Sequence, residues 1–241
     1  MMKFKKQNQH GAWAMVFMPL VIGIFANGFH ISQLFFMMGW LMIFFAADHV
    51  LFFIKNLRKK QYGYLKASLL FMILSAILFI YPLIVEYKII FFFLLMIPLG
   101  LINAYFSKQR DERNIINDIS AIIIFAIAGG AISFLESHTL NFGVWFTMII
   151  AFLYFIGVTL VVKTVIREKN NPTYKWTSFI YHGVVFLGML FTHYILGIAF
   201  LFGFVRAVYV YGRGWTPKKL GIMEIIHATW VTTWSIIYLF I

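Results

Sequence analysis

The chain has 241 residues, of which 62% are apolar and only 12% charged, with 29 Phe and a formal net charge of +12. A soluble domain of this size carries about a quarter charged residues, so this composition excludes a water-covered globule and makes lipid the main solvent. The absence of cysteine removes disulfides, thiolate nucleophiles and thiolate-held metal clusters. The positive charge is assigned to loops at anionic headgroups rather than to nucleic acid.

A spanning helix needs about 20 mostly apolar residues. On that criterion the chain holds nine candidate spans, at roughly 12–27, 31–54, 64–84, 87–107, 115–136, 142–163, 176–194, 195–211 and 220–241. The opening "MMKFKKQNQHGAWAMVFMPL" has a basic start and an apolar run. It lacks a small-residue cleavage site, and a second apolar run follows at once, so it is expected to be a retained first span. Apolar runs this long form helices, because each pairs its own backbone donors and acceptors inside hydrocarbon. The expected fold is all-α: a single integral membrane domain over 1–241, a polytopic bundle of about nine spans.

Charge supports the count. With nine spans, 19 of the 20 basic residues fall at the N-terminus or near the loops after spans two, four, six and eight, and Lys88 alone falls on the other side. Short loops follow the positive-inside bias, so the N-terminus is expected in the cytoplasm and the C-terminus outside, in a bacterial inner membrane.

Ionisable side chains inside spans are costly in lipid and mark sites to be explained. In "FFAADHVLFF", Asp48 and His49 lie in the second span. Adjacent residues cannot share a helix face, and Asp48 is expected to face the bundle interior. Arg206 lies before the end of span eight, placed to snorkel outward or to pair inward. Glu224 and His227 stand three apart on one face of span nine, and His182 lies in span seven. His10 opens the first span. Repeated facing ExxH motifs of a di-iron bundle do not occur, so no metal ligand set is assigned.

The loop "NAYFSKQRDERNIINDISA" at 103–121 concentrates both signs of charge. Asn103, Ser107 and Asp111 would share a face if the helix continued. Arg110 and Arg113 would pair locally with Asn114, Asn117 or Asp118, and Asp118 would sit at the positive end of the fifth helix dipole. Lys163 and Arg167 are four apart after span six. With Arg58, Lys59, Lys60 and Arg110 they would ring a vestibule attractive to a lipid phosphate. The candidate ligand-binding residues are therefore Asp48, Asn103, Arg110, Asp111, Arg113, Asp118, Lys163 and Arg167, with His10, Arg206, Glu224 and His227 as a second group.

Three strings, "QHGAWAM" at 9–15, "RDERNIIND" at 110–118 and "KTVIREK" at 163–169, resemble the YwiC-like family of bacterial membrane proteins. More distantly, nine spans with Pro19 and Gly23 in the first, and "AYFSKQR" at 104–110, are similar to the UbiA superfamily of intramembrane prenyltransferases. That resemblance implies a cytoplasmic cavity for an isoprenoid or phospholipid. It also implies paired Asp-rich motifs holding magnesium, which this chain lacks: the corresponding loops read "ADHVLFFIKNLRKKQ" and "KTVIREKNN". Magnesium is therefore not expected. Three functions remain open: a UbiA-like lipid binder or divergent transferase, a proton-coupled permease using Asp48 or Glu224, and a structural or assembly partner. The implied partners are the bilayer and an anionic or isoprenoid lipid.

Overall fold

The computed structural model describes residues 2–5, 10–169 and 171–241, with only the backbone of His10 included. Among these residues nine α-helices follow one another: α1 (His10–Asn27), α2 (Ile31–Lys55), α3 (Tyr62–Val85), α4 (Ile89–Gln109), α5 (Ile115–Ser137), α6 (Phe142–Val162), α7 (Pro172–Thr192), α8 (Tyr194–Val210) and α9 (Pro217–Leu239). They fall on the nine expected runs. Six are long and apolar enough to cross a membrane, and the apolar stretches Gly11–Asn27 and Tyr194–Val210 are shorter. The molecule is a membrane-embedded helical bundle.

The largest boundary shifts have a local cause. α7 and α9 begin at Pro172 and Pro217, a few residues before the apolar runs, because Asn171 and Thr216 cap them. Each cap side chain accepts an otherwise unpaired first-turn N–H, and proline at the first position has no N–H to leave bare. Arg110 ends α4 in the left-handed region at φ 61°.

α1 and α5 form the middle of the bundle. α1 packs on α5, α9 and α6, while α4 also lies on α5, and α3 packs chiefly on α2. One side of this wall is filled by Phe36 and Trp40 of α2, Phe79 of α3 and Phe92 of α4. The other is filled by Ile150, Tyr154 and Phe155 of α6, Phe200 of α8 and Val231 of α9. Outward, α3 shows Ile73, Ile77, Ile80 and Ile84, each more than half exposed. Such a stripe is stable against acyl chains and not against water.

The α1–α5 crossing is a backbone contact. A Cβ on Gly129 would lie 2.7 Å from Pro19 Cβ and 2.9 Å from Pro19 O, and one on Gly23 would lie 2.5 Å from Gly129 O. Glycine here lets two helix backbones touch. The segment Ala128–Ala131 thus mediates close approach, whereas Gly100 of α4 has open space around its Cβ position.

Polar clasps close both ends. At the end away from the N-terminus, Asn27 Nδ2 donates to Ser133 Oγ at 2.7 Å, and Asn141 Nδ2 donates to Asn27 Oδ1 at 2.7 Å. Glu86, between α3 and α4, lies 2.8 Å from His138 Nδ1 and accepts from the Lys88 amide at 3.0 Å. Burial pushes the Glu86 carboxyl up, but the Lys88 amide, the His138 ring and the Lys88 charge outweigh it and hold the group below its ordinary 4.5. A depressed carboxyl stabilises the fold fully above its unfolded value and loses that contribution as pH falls through the folded one. Acidification below pH 4.5 should therefore loosen this end, and Glu86→Gln should flatten that part of the stability–pH curve. Thermal unfolding in detergent from pH 6 to about pH 3 measures it; equal slopes for both proteins would refute it.

Candidate functional site

The first group of sequence-predicted residues gathers at the end of the bundle that carries the N-terminal segment. Lys5 ties residues 2–5 to α2: its Nζ reaches Asp48 Oδ1 at 2.5 Å and its amide donates to His49 Nε2 at 3.1 Å. Asp48 was expected to face the interior. It is His49 that is buried, because residues one apart on a helix point about 100° apart. The α4–α5 connection also departs from the expected stripe. α4 stops at Gln109, so Asp111 leaves the line of Asn103 and Ser107 and instead accepts from Asn114 at 2.9 Å. Asn103 donates to Ser120 Oγ, and Ser107 donates to Leu51 O.

Asp118 is met by side chains from the end of α6. Lys163 Nζ lies 3.2 Å and Arg167 Nη1 3.7 Å from its Oδ2. Lys163 also donates to the Arg113 carbonyl at 2.7 Å. The local pairing of Asp118 with Arg113 does not form, since Arg113 lies in the turn before the α5 cap and its side chain is exposed. Lys163 begins a π-helical turn, Lys163–Arg167, whose width is seen in the Glu168 amide bonding back to Lys163 O. The loop after α4 and the first turn of α5 thus meet the turn after α6, with two cations on one carboxylate. Arg58, Lys59, Lys60 and Arg110 are exposed at the same end, while Lys163 is buried. The His10 side chain lies outside the described residues.

A second polar group is deeper. Arg206 of α8 and Glu224 of α9 form an ion pair with side-chain exposures of 1% and 3%. Arg206 turns inward; four residues before the end of α8 it lies about 6 Å from that helix end. Its Nε and Nη2, and Glu224 Oε1, have no hydrogen-bond partner among the described residues. One turn further along α9, His227 is buried between the Tyr154 ring, 4.9 Å away, and the Phe202 ring, 5.1 Å away. Both its ring nitrogens lack a partner among the described residues. On α7, His182 Nδ1 contacts Ser178 O at 2.7 Å, and its Nε2 has no partner among the described residues.

The two histidines border a cavity of about 10 Å³ whose walls also include Tyr154, Gly157, Tyr181 and Gly203. That is space for about one water. Tyr154 donates its hydroxyl to Glu224 O at 3.1 Å, joining α6 to the site. None of the candidate residues named from the sequence lies on α6. The available signal was a tyrosine in an apolar run three residues before Gly157: a buried phenol needs a hydrogen-bond partner, and a glycine beside it leaves room for one. Among the described residues, no three His, Asp or Glu side chains come together as metal ligands.

Fold and site define an integral membrane protein with an ionisable cluster sealed between four of its helices. The profile of the YwiC-like protein family matches residues 7–133. An "Uncharacterized protein" of Haemophilus influenzae is 33% identical over 225 residues, covering 93% of this chain and 92% of its own length. The "Uncharacterized protein YwiC" of Bacillus subtilis is 33% identical over 233 residues, covering 94% of this chain and 95% of its own. The chain belongs to the YwiC-like family. No solved structure matches it.

Proposed function

We propose that this protein is a small carrier of the bacterial inner membrane, with its N-terminus in the cytoplasm, that couples solute movement to protonation of Glu224. The observation that carries the reading is the Arg206–Glu224 pair, buried with unused donors and acceptors beside two histidines whose ring nitrogens are not all partnered among the described residues. In a low-dielectric interior such a pair has two stable conditions only. Either both charges are present and close, or Glu224 takes a proton and Arg206 must find another anion or move toward water. That is the two-state element a coupled carrier requires. The orientation rests on the basic residues gathered at one end of the bundle.

The test is proton movement into liposomes containing purified protein, driven by a potassium diffusion potential and read with an internal pH dye. Wild type should carry protons, Glu224→Gln should lower the flux by about tenfold or more, and Asp48→Asn should leave it nearly unchanged. Equal flux in wild type and Glu224→Gln sinks the reading. A second reading, a UbiA-like binder of an isoprenoid or phospholipid, is favoured by the meeting of the α4–α5 loop and the start of α5 with the turn after α6, at Arg113, Asp118 and Lys163. It predicts a retained polyprenyl or anionic lipid in native mass spectra, lost when Lys163 and Arg167 are replaced.

A further inference from the structure

We infer that the cavity among α6, α7, α8 and α9 is a water site joining His227 to His182, a proton relay that extends the Arg206–Glu224 pair across the bundle to α7. The inference rests on the carrier reading for the use of the path, but not for the water itself.

Ser178 O can only accept, so the hydrogen between it and His182 belongs to Nδ1, and His182 Nε2 is left as a bare lone pair. That nitrogen borders the cavity and needs a donor. The two phenols on the wall are committed elsewhere: Tyr154 donates to Glu224 O and Tyr181 donates to Leu153 O at 2.9 Å. His227, with no partner on either nitrogen, supplies the only other titratable ring on the wall among the described residues. A water between the rings donates to His182 Nε2 and accepts from His227, satisfying two groups that otherwise stay unpaired in hydrocarbon.

Two glycines hold this space open. A Cβ on Gly203 would lie 3.1 Å from His227 Nε2 and 3.5 Å from His182 Cδ2, and one on Gly157 would lie 2.9 Å from His182 Nε2. The surrounding ionisable groups are Tyr154 from α6, Tyr181 from α7, Arg206 from α8 and Glu224 from α9.

The transfer balances without a co-reactant. His227, protonated on both nitrogens, releases its cavity-side proton to the water oxygen as that water passes one of its own protons to His182 Nε2. The N–H bond on His227 breaks, a new N–H forms on His182, the water is regenerated and the positive charge moves one ring. The His182 Nδ1–H stays on Ser178 O throughout.

The test uses the full-length protein, labelled with ¹⁵N-histidine, in lipid nanodiscs. NMR should show two ring nitrogens in magnetisation-transfer contact with a bound water. Gly203→Ala should abolish both contacts. Gly188→Ala, on α7 with open space at its Cβ position, should leave them. His182→Gln keeps a hydrogen-bonding group but cannot accept a proton, so the His227–water contact should persist while liposome proton flux falls by about tenfold or more. Absence of bound water in wild type, or unchanged contacts in Gly203→Ala, overturns the site. Unchanged flux in His182→Gln overturns the relay. A proton flux insensitive to Glu224→Gln overturns the carrier reading alone, because the water contacts are measured independently of flux.

Discussion

Arg206→Met should be the most damaging single charge removal in the chain, lowering stability by about 3–5 kcal/mol. The reason is what it leaves behind. Glu224 is 3% exposed and has no other cation beside it in the described structure, so its carboxylate would remain buried and unpaired or be forced to take a proton. The double variant Arg206→Met with Glu224→Leu should recover most of the loss, since two apolar side chains of similar volume replace the pair without a stranded charge. Unfolding in mixed micelles across the four proteins of this cycle gives the coupling directly. Additive single effects would mean that the two groups do not depend on each other. The double variant should still lack proton flux, which separates what the pair does for folding from what it does for function.

Gly129→Leu should be comparably severe by a different route. The new side chain meets the Pro19 backbone of α1, and a backbone atom in the middle of a helix cannot rotate away as a side chain can. Overpacking a filled core costs about 1–3 kcal/mol and occasionally more. This contact lies between the two helices on which both halves of the bundle are built, so the expected loss is at the upper end and includes lower yield of folded protein. Gly100→Ala is the internal comparison: nothing lies near its Cβ position, and exchanging glycine for alanine in a helix favours the helix by about 1 kcal/mol. Resistance to proteolysis and thermal unfolding should move in opposite directions for the two variants. Parallel losses would show that helix propensity, not the crossing, governs this bundle.

The helices were legible in the sequence because hydrocarbon imposes a length and forbids unpaired backbone, and both demands are met within each segment. The site was legible in pieces. Glu224 and His227 are three apart, so their shared face follows from helix geometry alone. Arg206 was visible as a charge in a span, but its partner is on the next helix, and only packing decides between snorkelling outward and pairing inward. Tyr154 was hidden because an apolar run with one tyrosine reads as ordinary core. The charged α4–α5 loop misled in detail: its expected pairings assumed a continued helix, whereas Arg110 ends α4 and gives Asp118 to the end of α6. Asp48 and His49 show the same limit, since adjacency says that one of two residues is buried without saying which.

The wide turn at Lys163–Arg167 also bears on how this bundle tolerates changes in chain length. A π-turn holds one residue more than an α-turn, so it is a stored insertion. Deleting a single residue within it should let the segment relax to an ordinary α-turn while the chain on either side keeps its orientation. An inserted residue has no such place to go in the tight α7–α8 connection, where His193 is both the end of one helix and the cap of the next. Indels in this protein should therefore be absorbed at one face of the bundle and rejected at the other.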